Sequence, residues 1–385
     1  MFPRSARPAL AAATGALTIV LTAACGAPGA SSGSGSSAAA GPIKIAVVDA
    51  QSGQLSSLGQ WEYKGAKLAV DQWNKAGGVD GRRIQLDLFD DQGDPTVGTS
   101  IASKIASQGY VAMIGTSESG VTVAMAPTLE AAKIPNITSG QSGALVAVKS
   151  PYLFLNGPTS TTYDATLAKY VVSQKGVKSI AMITNNGSYG KGEHDAFLKQ
   201  LSSLGVTPVA DQVVTTAQTD FSAALTAIKQ KNPQAVFIGS EEVEAGLIVK
   251  QARTLGITAP FAGGAPQGTP VFIDTAGAAD VEGTIVSSPY LGNTGSPAAE
   301  AFAAAYQSAY GTAPELHGAK AYDGAQILLT ALKDSDDAAG LKLADAIRAV
   351  KYHGLLGDFA YDGTGVGIFA TTIGVIKNGQ LTAAG

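Results

Sequence analysis

The chain has 385 residues, of which 45% are apolar, 6% aromatic and 15% charged, with 47 glycines. That is too long for one small module and suits one large or two medium α/β domains. The formal charge of -4 leaves no excess of basic residues for nucleic acid, a single cysteine excludes a disulfide framework or Cys-cluster metal site, and three histidines leave little for metal or acid–base chemistry.

Arg4 and Arg7 precede an apolar or small-residue run over 9–24. This is the layout of a secretory signal peptide, so residues 1–24 are excluded from the fold. Cys25 sits at the expected cleavage point. Residues 25–41 are rich in Gly, Ser and Ala and read as a flexible tether. No segment past residue 25 has 18 uncharged apolar residues in a row, so the body is not expected to cross a membrane.

From residue 43 the pattern alternates strand and helix. Ile43–Val48 is a short apolar run of strand length. Ala66, Ala69, Val70 and Trp73 recur at helical spacing, and Gly77-Gly78 stops that helix. Ile84–Phe89 alternates as a strand, and Asp94-Pro95 places an N-cap and a proline at the start of the next helix. Strands are expected at 111–114 and 134–137, with a helix from about Ser119 between them. The rhythm resumes with a helix around Tyr163 and Leu167, then a strand at 179–183 and a helix over 197–204. A strand at Val213-Val214 and a helix capped by Asp220 follow. A strand at 235–238, a helix over 242–255 and a strand at 260–262 complete the run. Regular βαβα order means parallel sheets covered by helices, with ligands bound beyond the carboxyl ends of the strands. The loops to inspect are therefore 49–59, 115–119, 138–143, 184–190, 239–242 and 263–268.

Several segments carry a family resemblance. They are IKIAVVDAQSGQLSSLGQWEYKGAKLAVDQWNKAGGVDGRRIQL from residue 43, DDQGDP at 90–95, MIG at 113–115 and SYGKG at 188–192. TDFSAALTAIK at 219–229, LIVKQARTLGI at 247–257, AYDGAQIL at 321–328 and LLGDFAYDGTG at 355–365 complete the set. In this order they resemble the type I periplasmic substrate-binding proteins of the branched-chain amino-acid (Leu/Ile/Val) binding family. The resemblance implies two doubly wound parallel-sheet α/β lobes, a three-segment hinge and a ligand cleft between the lobes. The crossings are expected near 156–158, 287–289 and 356–359. Lobe I would then comprise 42–157 and 288–357, and lobe II 158–287 and 358–385. It further implies capture of a small solute, a branched-chain or related amino acid, by lobe closure, with delivery to an ABC permease and its ATPase. Leu21 to Gly26 also resemble the lipobox of bacterial lipoproteins, which makes Cys25 the lipidated residue and the protein an extracytoplasmic one held at the membrane by its lipid.

The resemblance assigns the α-carboxylate of a ligand to Ser119, after the third strand, and to Gly140 and Ser142, after the fourth. A helix start at Ser119 favours an anion, although the residue could equally be a simple cap. Tyr189 in SYGKG corresponds to a second-lobe aromatic on the ligand, and Tyr322 lies near the cleft or hinge in relatives, with a core role as the other reading. Leu58 and Trp61 could wall the pocket or belong to the core. Relatives that bind amino acids place an acid for the ammonium where this chain has Ala265. An unpaired buried ammonium is costly, so either Glu241 or Glu118 substitutes, or the ligand is an aromatic or aliphatic carboxylate or an amide. Asp90 to Pro95 reads as a structural turn rather than a cation site. The body has no G-x-S-x-G, H-E-x-x-H or P-loop. His194, His317 and His353 are expected at the surface. No catalytic residue, metal ligand or cofactor is expected, and the contrasting class is a hydrolytic lipoprotein.

Overall fold

A computed structural model describes residues 41–291 and 296–384. The expected signal peptide, Cys25 and all but the last residue of the tether lie outside these. The first sheet is built from β1 (Ile43–Val48), β2 (Ile84–Phe89), β3 (Ala112–Gly115), β4 (Asn136–Thr138) and β5 (Leu153–Leu155), with α1 (Ser56–Lys75), α2 (Pro95–Ser107), α3 (Ser119–Ala131) and α4 (Gly143–Val148) between them. All its pairings are parallel, in the order β2-β1-β3-β4-β5. The Asp94 side chain caps α2 by accepting from Thr96 N at 2.6 Å and Val97 N at 3.2 Å, with Pro95 in the first turn. Gly77 and Gly78 end α1 at φ of 110° and 79°, a region that glycine enters without a Cβ penalty.

The second sheet repeats the plan. It uses α5 (Ser160–Ala168), β6 (Ile180–Asn185), α6 (Ser188–Ser203), β7 (Ala210–Val214), α7 (Ser222–Gln230), β8 (Ala235–Gly239), α8 (Glu242–Thr254), β9 (Phe261–Gly263), α9 (Pro270–Ala276) and β10 (Ile285–Ser288). The chain then returns to the first lobe with α10 (Pro297–Tyr310), α11 (Leu316–Asp334) and α12 (Gly340–Ala349). A small antiparallel sheet follows, made of β11 (Lys351–Gly354), β12 (Gly357–Tyr361) and β13 (Gly367–Ile368). Last come β14 (Thr372–Lys377) and β15 (Gln380–Ala383), which add to the second sheet in the order β15-β14-β10-β9-β8-β6-β7.

The third crossing therefore lies between β13 and β14, not near 356–359. Val366 bridges to Leu155 of the first sheet, and the Tyr361 ring meets Phe154 at 5.2 Å. Phe359, Tyr361 and Phe369 are buried in the first lobe's core beside Phe154 and Leu328. Residues 358–369 thus pack with lobe I, because their apolar face has its partners there, whereas Thr371 already meets Thr166 of α5. The fourth strand is also shifted from 134–137 to Asn136–Thr138, and α4 and β5 are additions to the sequence reading.

Each lobe has its own apolar core. Ile45, Val47, Ile114 and Leu328 lie in the first, and Ile183, Ile238, Ile248 and Phe261 in the second. Fully burying such a side chain contributes about 1.5–3 kcal/mol. Helices α1 and α11 meet at two glycines: a Cβ on Gly65 would lie 2.0 Å from the Gly318 carbonyl oxygen. That close approach fixes which faces of α1 and α11 look inward.

Candidate functional site

In both sheets the strand order reverses beside the first strand of the unit, between β1 and β3 and between β6 and β8. Ligands bind at such reversals, beyond the carboxyl ends of the strands. Leu55, Leu58, Ser117, Glu118, Ser139, Gln141, Tyr189, Glu241, Pro266 and His317 line one cleft there. All but His317 come from the six loops singled out in the sequence. The two lobes are drawn together: Ser57 Oγ donates to Glu242 Oε2 at 2.5 Å across the seam. A Cβ on Gly192 of α6 would lie 2.9 Å from Ser142 Oγ. The void enclosed is about 30 Å³, against roughly 300 Å³ or more for a typical small-molecule pocket. A ligand of amino-acid size enters only when the lobes part.

On the lobe I wall, Asp49 follows β1 and braces the loop after β3. Its Oδ1 accepts from Ser117 N at 2.8 Å and Ser117 Oγ at 2.7 Å. Glu118 is the N-cap of α3, its Oε2 accepting from the N–H groups of Gly120 and Val121. Ser119 is fully buried one residue inside that helix, where its Oγ accepts from Ser142 N at 3.3 Å. The anion cradle expected at Ser119 is thus filled by the protein's own carboxylate, and Ser119 holds the following loop in place. Gly140 is needed by close packing, since a Cβ there would lie 2.9 Å from Leu145 and 3.0 Å from Ser119 Oγ. Ser142 caps α4 by accepting from Ala144 N.

Behind this wall, Glu62 accepts a hydrogen bond from Ser139 Oγ, and Lys320 Nζ donates to the Ser139 carbonyl at 2.9 Å. Burial pushes the Asp49 and Glu62 carboxyls up, and the nearby Glu62 adds to the shift at Asp49. Burial likewise lowers Lys320 to about 8, opposed by the charges of Glu62 and Glu315.

The lobe II wall is acidic. Asn185, at the end of β6, donates through Nδ2 to Glu241 Oε2 at 2.5 Å and Glu244 Oε2 at 2.8 Å. Glu241 begins α8 as its N-cap and is 8% exposed. Burial, then the charges of Glu118 and Glu244, raise it to about 8. Burial also raises Glu118, and Glu244 to about 7. Tyr189, in the first turn of α6, is buried against the cleft. Beneath it Asp164 and Glu193 are fully enclosed, and neither carboxylate has a hydrogen-bond partner within normal geometry. Burial raises Asp164, and lifts Glu193 to about 7. A Cβ on Gly264 would lie 2.9 Å from Glu193 Oε2 and 3.0 Å from the Tyr189 hydroxyl. Glu193 therefore reaches the turn before Ala265.

The structure brings Leu58, Glu118, Tyr189 and Glu241 together and sets others apart. Trp61 stacks on Tyr306 at 5.8 Å in a cluster between α1, α10 and α11, away from the cleft wall. Tyr322 donates to Gln72 Oε1 at 2.7 Å and packs on Phe302, between helices rather than at the hinge. Ala265 is buried beside Leu68 and Tyr290, and its neighbour Pro266 faces the cleft. His317, expected at the surface, is 5% exposed and lines the cleft. His353 is exposed, and His194 bridges Asp195 and Asp211. Asp90 and Asp91 accept from the backbone of their own turn at Gln92 and Gly93, which makes that segment the structural turn expected. Leu55, Ser117, Ser139, Gln141 and Pro266 are not marked individually by the sequence, although each lies in one of the loops it points to.

A sequence model described as periplasmic binding protein matches residues 42–380. This chain belongs to the periplasmic binding protein family. Its fold is the type I form, with α/β parallel-sheet lobes. It is 32% identical over 229 residues to Leu/Ile/Val-binding protein homolog 3 of Brucella melitensis, covering 59% of this chain and 62% of that one. The match to the Leu/Ile/Val-binding protein of Citrobacter freundii is 28% over 331 residues, covering 84% and 87%. The chain thus spans about three-fifths of the length of the first two curated relatives. Among solved structures it resembles the branched-chain amino acid transporter substrate-binding protein LivJ of Streptococcus pneumoniae in complex with isoleucine. The TM-score is 0.83 at 28% identity, covering 89% of this chain and 98% of that one. A solute-binding protein of R. palustris in complex with benzoate shares the fold at a TM-score of 0.82 and 21% identity, covering 90% and 96%.

Proposed function

We propose that this protein is the extracytoplasmic capture subunit of an ABC importer. It takes a branched-chain or related aliphatic amino acid between its lobes and hands it to a permease driven by an ATPase. The observation that carries the reading is a cleft at the strand-order reversals walled by both lobes, with Glu118 on one side and Glu241 on the other. A ligand touching both walls binds the closed form better and shifts the hinge equilibrium toward it.

The chemistry of the walls favours an ammonium. Glu241, steadied by Asn185, takes the role that position 265 has lost, with Glu118 opposite. A cation between them favours both charged forms, relieving burial that otherwise drives the acids neutral. Leu55, Leu58, Pro266 and the Tyr189 ring offer apolar surface to an aliphatic side chain, and Gln141 brings an amide donor to the lobe I wall. A carboxylate without an ammonium would meet two acids, with His317 the one basic side chain on the wall and already engaged by Glu315. Cys25, as the lipidated residue of a tethered lipoprotein, would keep this body at the outer face of the cell membrane; the sequence around residues 21–26 supports that anchor.

Thermal unfolding of the purified chain with leucine, isoleucine, valine and, separately, benzoate tests the assignment. The aliphatic amino acids raise Tm, by an amount equivalent to about 2.7 kcal/mol at a hundredfold excess over Kd. Benzoate leaves Tm unmoved. Glu241→Gln removes the amino-acid effect without lowering the Tm of the ligand-free protein. Stabilisation by benzoate alone, or an undiminished leucine effect in Glu241→Gln, overturns the reading.

A further inference from the structure

A second polar cluster lies where the lobes meet, sharing only His317 with the amino-acid cleft. Glu315 caps α11 through its side chain, with Oε1 accepting from Gly318 N at 2.9 Å. His317 lies in the first turn of that helix, so both belong to lobe I. Glu242, the first residue of α8, comes from lobe II. One ligating atom from each of the three lies within 4.8 Å of the others. Their exposures are 6%, 5% and 1%.

The local hydrogen bonds do not satisfy this cluster. His317 Nδ1 is 2.8 Å from Glu315 Oε2, and Ser57 Oγ donates to Glu242 Oε2 at 2.5 Å. Glu242 Oε1, fully buried, has no hydrogen-bond partner. A buried carboxylate oxygen left unpaired is costly and calls for a missing partner. Lys320, whose charge reaches Glu315, donates to the Ser139 carbonyl and is shared with Glu62, so a partner for Glu242 Oε1 must come from elsewhere, and a cation suits it.

We propose that Glu242, Glu315 and His317 form a three-ligand site for a divalent transition-metal ion of the zinc class, which ties lobe II to lobe I. One imidazole and two carboxylates form a nitrogen–oxygen donor set of the kind zinc accepts in four-coordinate sites. Calcium and magnesium instead favour sites made of oxygen alone, and more of it. The fourth position falls to the Ser57 hydroxyl or to a water. Because the ligands are divided between lobes, the ion binds the closed form better than the open one. Since His317 also lines the amino-acid cleft, ion and amino acid reinforce each other's binding, and by linkage to the same degree.

The test uses the tag-free full chain, stripped with EDTA and returned to chelator-free buffer. Calorimetric titration with ZnCl2 should show saturable binding of one ion per chain, and zinc should raise Tm where equimolar MgCl2 does not. His317→Gln and Glu242→Gln, each checked for native circular dichroism, should each weaken zinc binding at least tenfold. Glu242→Gln preserves side-chain shape and supplies a reading if the histidine variant does not fold. No saturable binding by the parent chain up to millimolar zinc, or unchanged binding in Glu242→Gln, overturns the site. Both outcomes are read without amino acid present, so failure here leaves the amino-acid assignment standing, and the reverse holds.

Discussion

The two strand-order reversals are built alike and charged differently. In lobe I, Asp49 follows the first strand and accepts from Ser117, after the third. In lobe II, Asn185 ends the equivalent strand and donates to Glu241 and Glu244, after the equivalent third strand. The brace is the same, but the direction of hydrogen bonding is inverted. Lobe I also carries a cation of its own, since Lys320 lies close enough to Glu62 for their charges to act on each other. Lobe II has Glu193, Asp164, Glu241 and Glu244 gathered near its wall, and no lysine or arginine lines the cleft. The positive charge that balances lobe I is internal. The one that balances lobe II is left for the ligand to bring.

Breaking the internal balance should have the largest effect. Lys320→Met leaves the acids behind the lobe I wall without their cation and the Ser139 carbonyl without its donor. Removing one partner of a buried charged group costs roughly 3–5 kcal/mol, read as a lower denaturant midpoint. Glu62→Gln added to Lys320→Met should recover part of that loss, whereas an unchanged midpoint in the single variant would show that lobe I does not depend on this cation.

The next effect sharpens the contrast through pH. Glu241 is raised to about 8, and Glu193, Glu242 and Glu244 to about 7. A folded-state pKa above the unfolded value means that the native chain holds more protons than the unfolded one across the interval. The stability these groups contribute to the ligand-free chain is therefore full below the ordinary carboxylate range near 4.3 and is lost as pH rises toward 8. His317, raised by Glu315 against the opposing effect of burial, acts in the same direction. Amino-acid affinity should move oppositely, strengthening from pH 5 to 8 as the acids facing the ammonium ionise. Calorimetry and thermal melts across that range check both signs; a ligand-free Tm that rises with pH would contradict the acidic-wall account.

The smallest effect is a control remote from either wall. Tyr322→Phe removes the hydrogen bond to Gln72 and should cost about 1 kcal/mol, with leucine affinity unchanged.

The sequence made the strands and their loops readable because short apolar β-branched runs, bounded by Gly and polar turns, have few other uses. Ile43–Val48 and Ala235–Gly239 are of this kind. It also pointed to Glu118 and Glu241, which both line the cleft, because each stands just past a strand end. What it could not show was which way α1 and α11 face. Trp61 and Tyr322 look like ligand aromatics until Gly65 and Gly318 bring the helices together and turn both rings into the packing between them. The same rotation sends His317 and Lys320 inward, and no local pattern marks a polar residue that is buried because a partner lies far off in sequence. Likewise, the three residues of β5 are too few to show a period. Residues 358–369 show their allegiance only once Val366 meets Leu155.

That late return has a practical consequence. Strand β1 opens lobe I, whereas β14 and β15 finish in the sheet of lobe II. The two ends of the folded body therefore ride on opposite jaws. A donor dye near Gly41 and an acceptor near Ala384 would convert each bite into a change in energy transfer, giving a solute sensor with no label near the mouth.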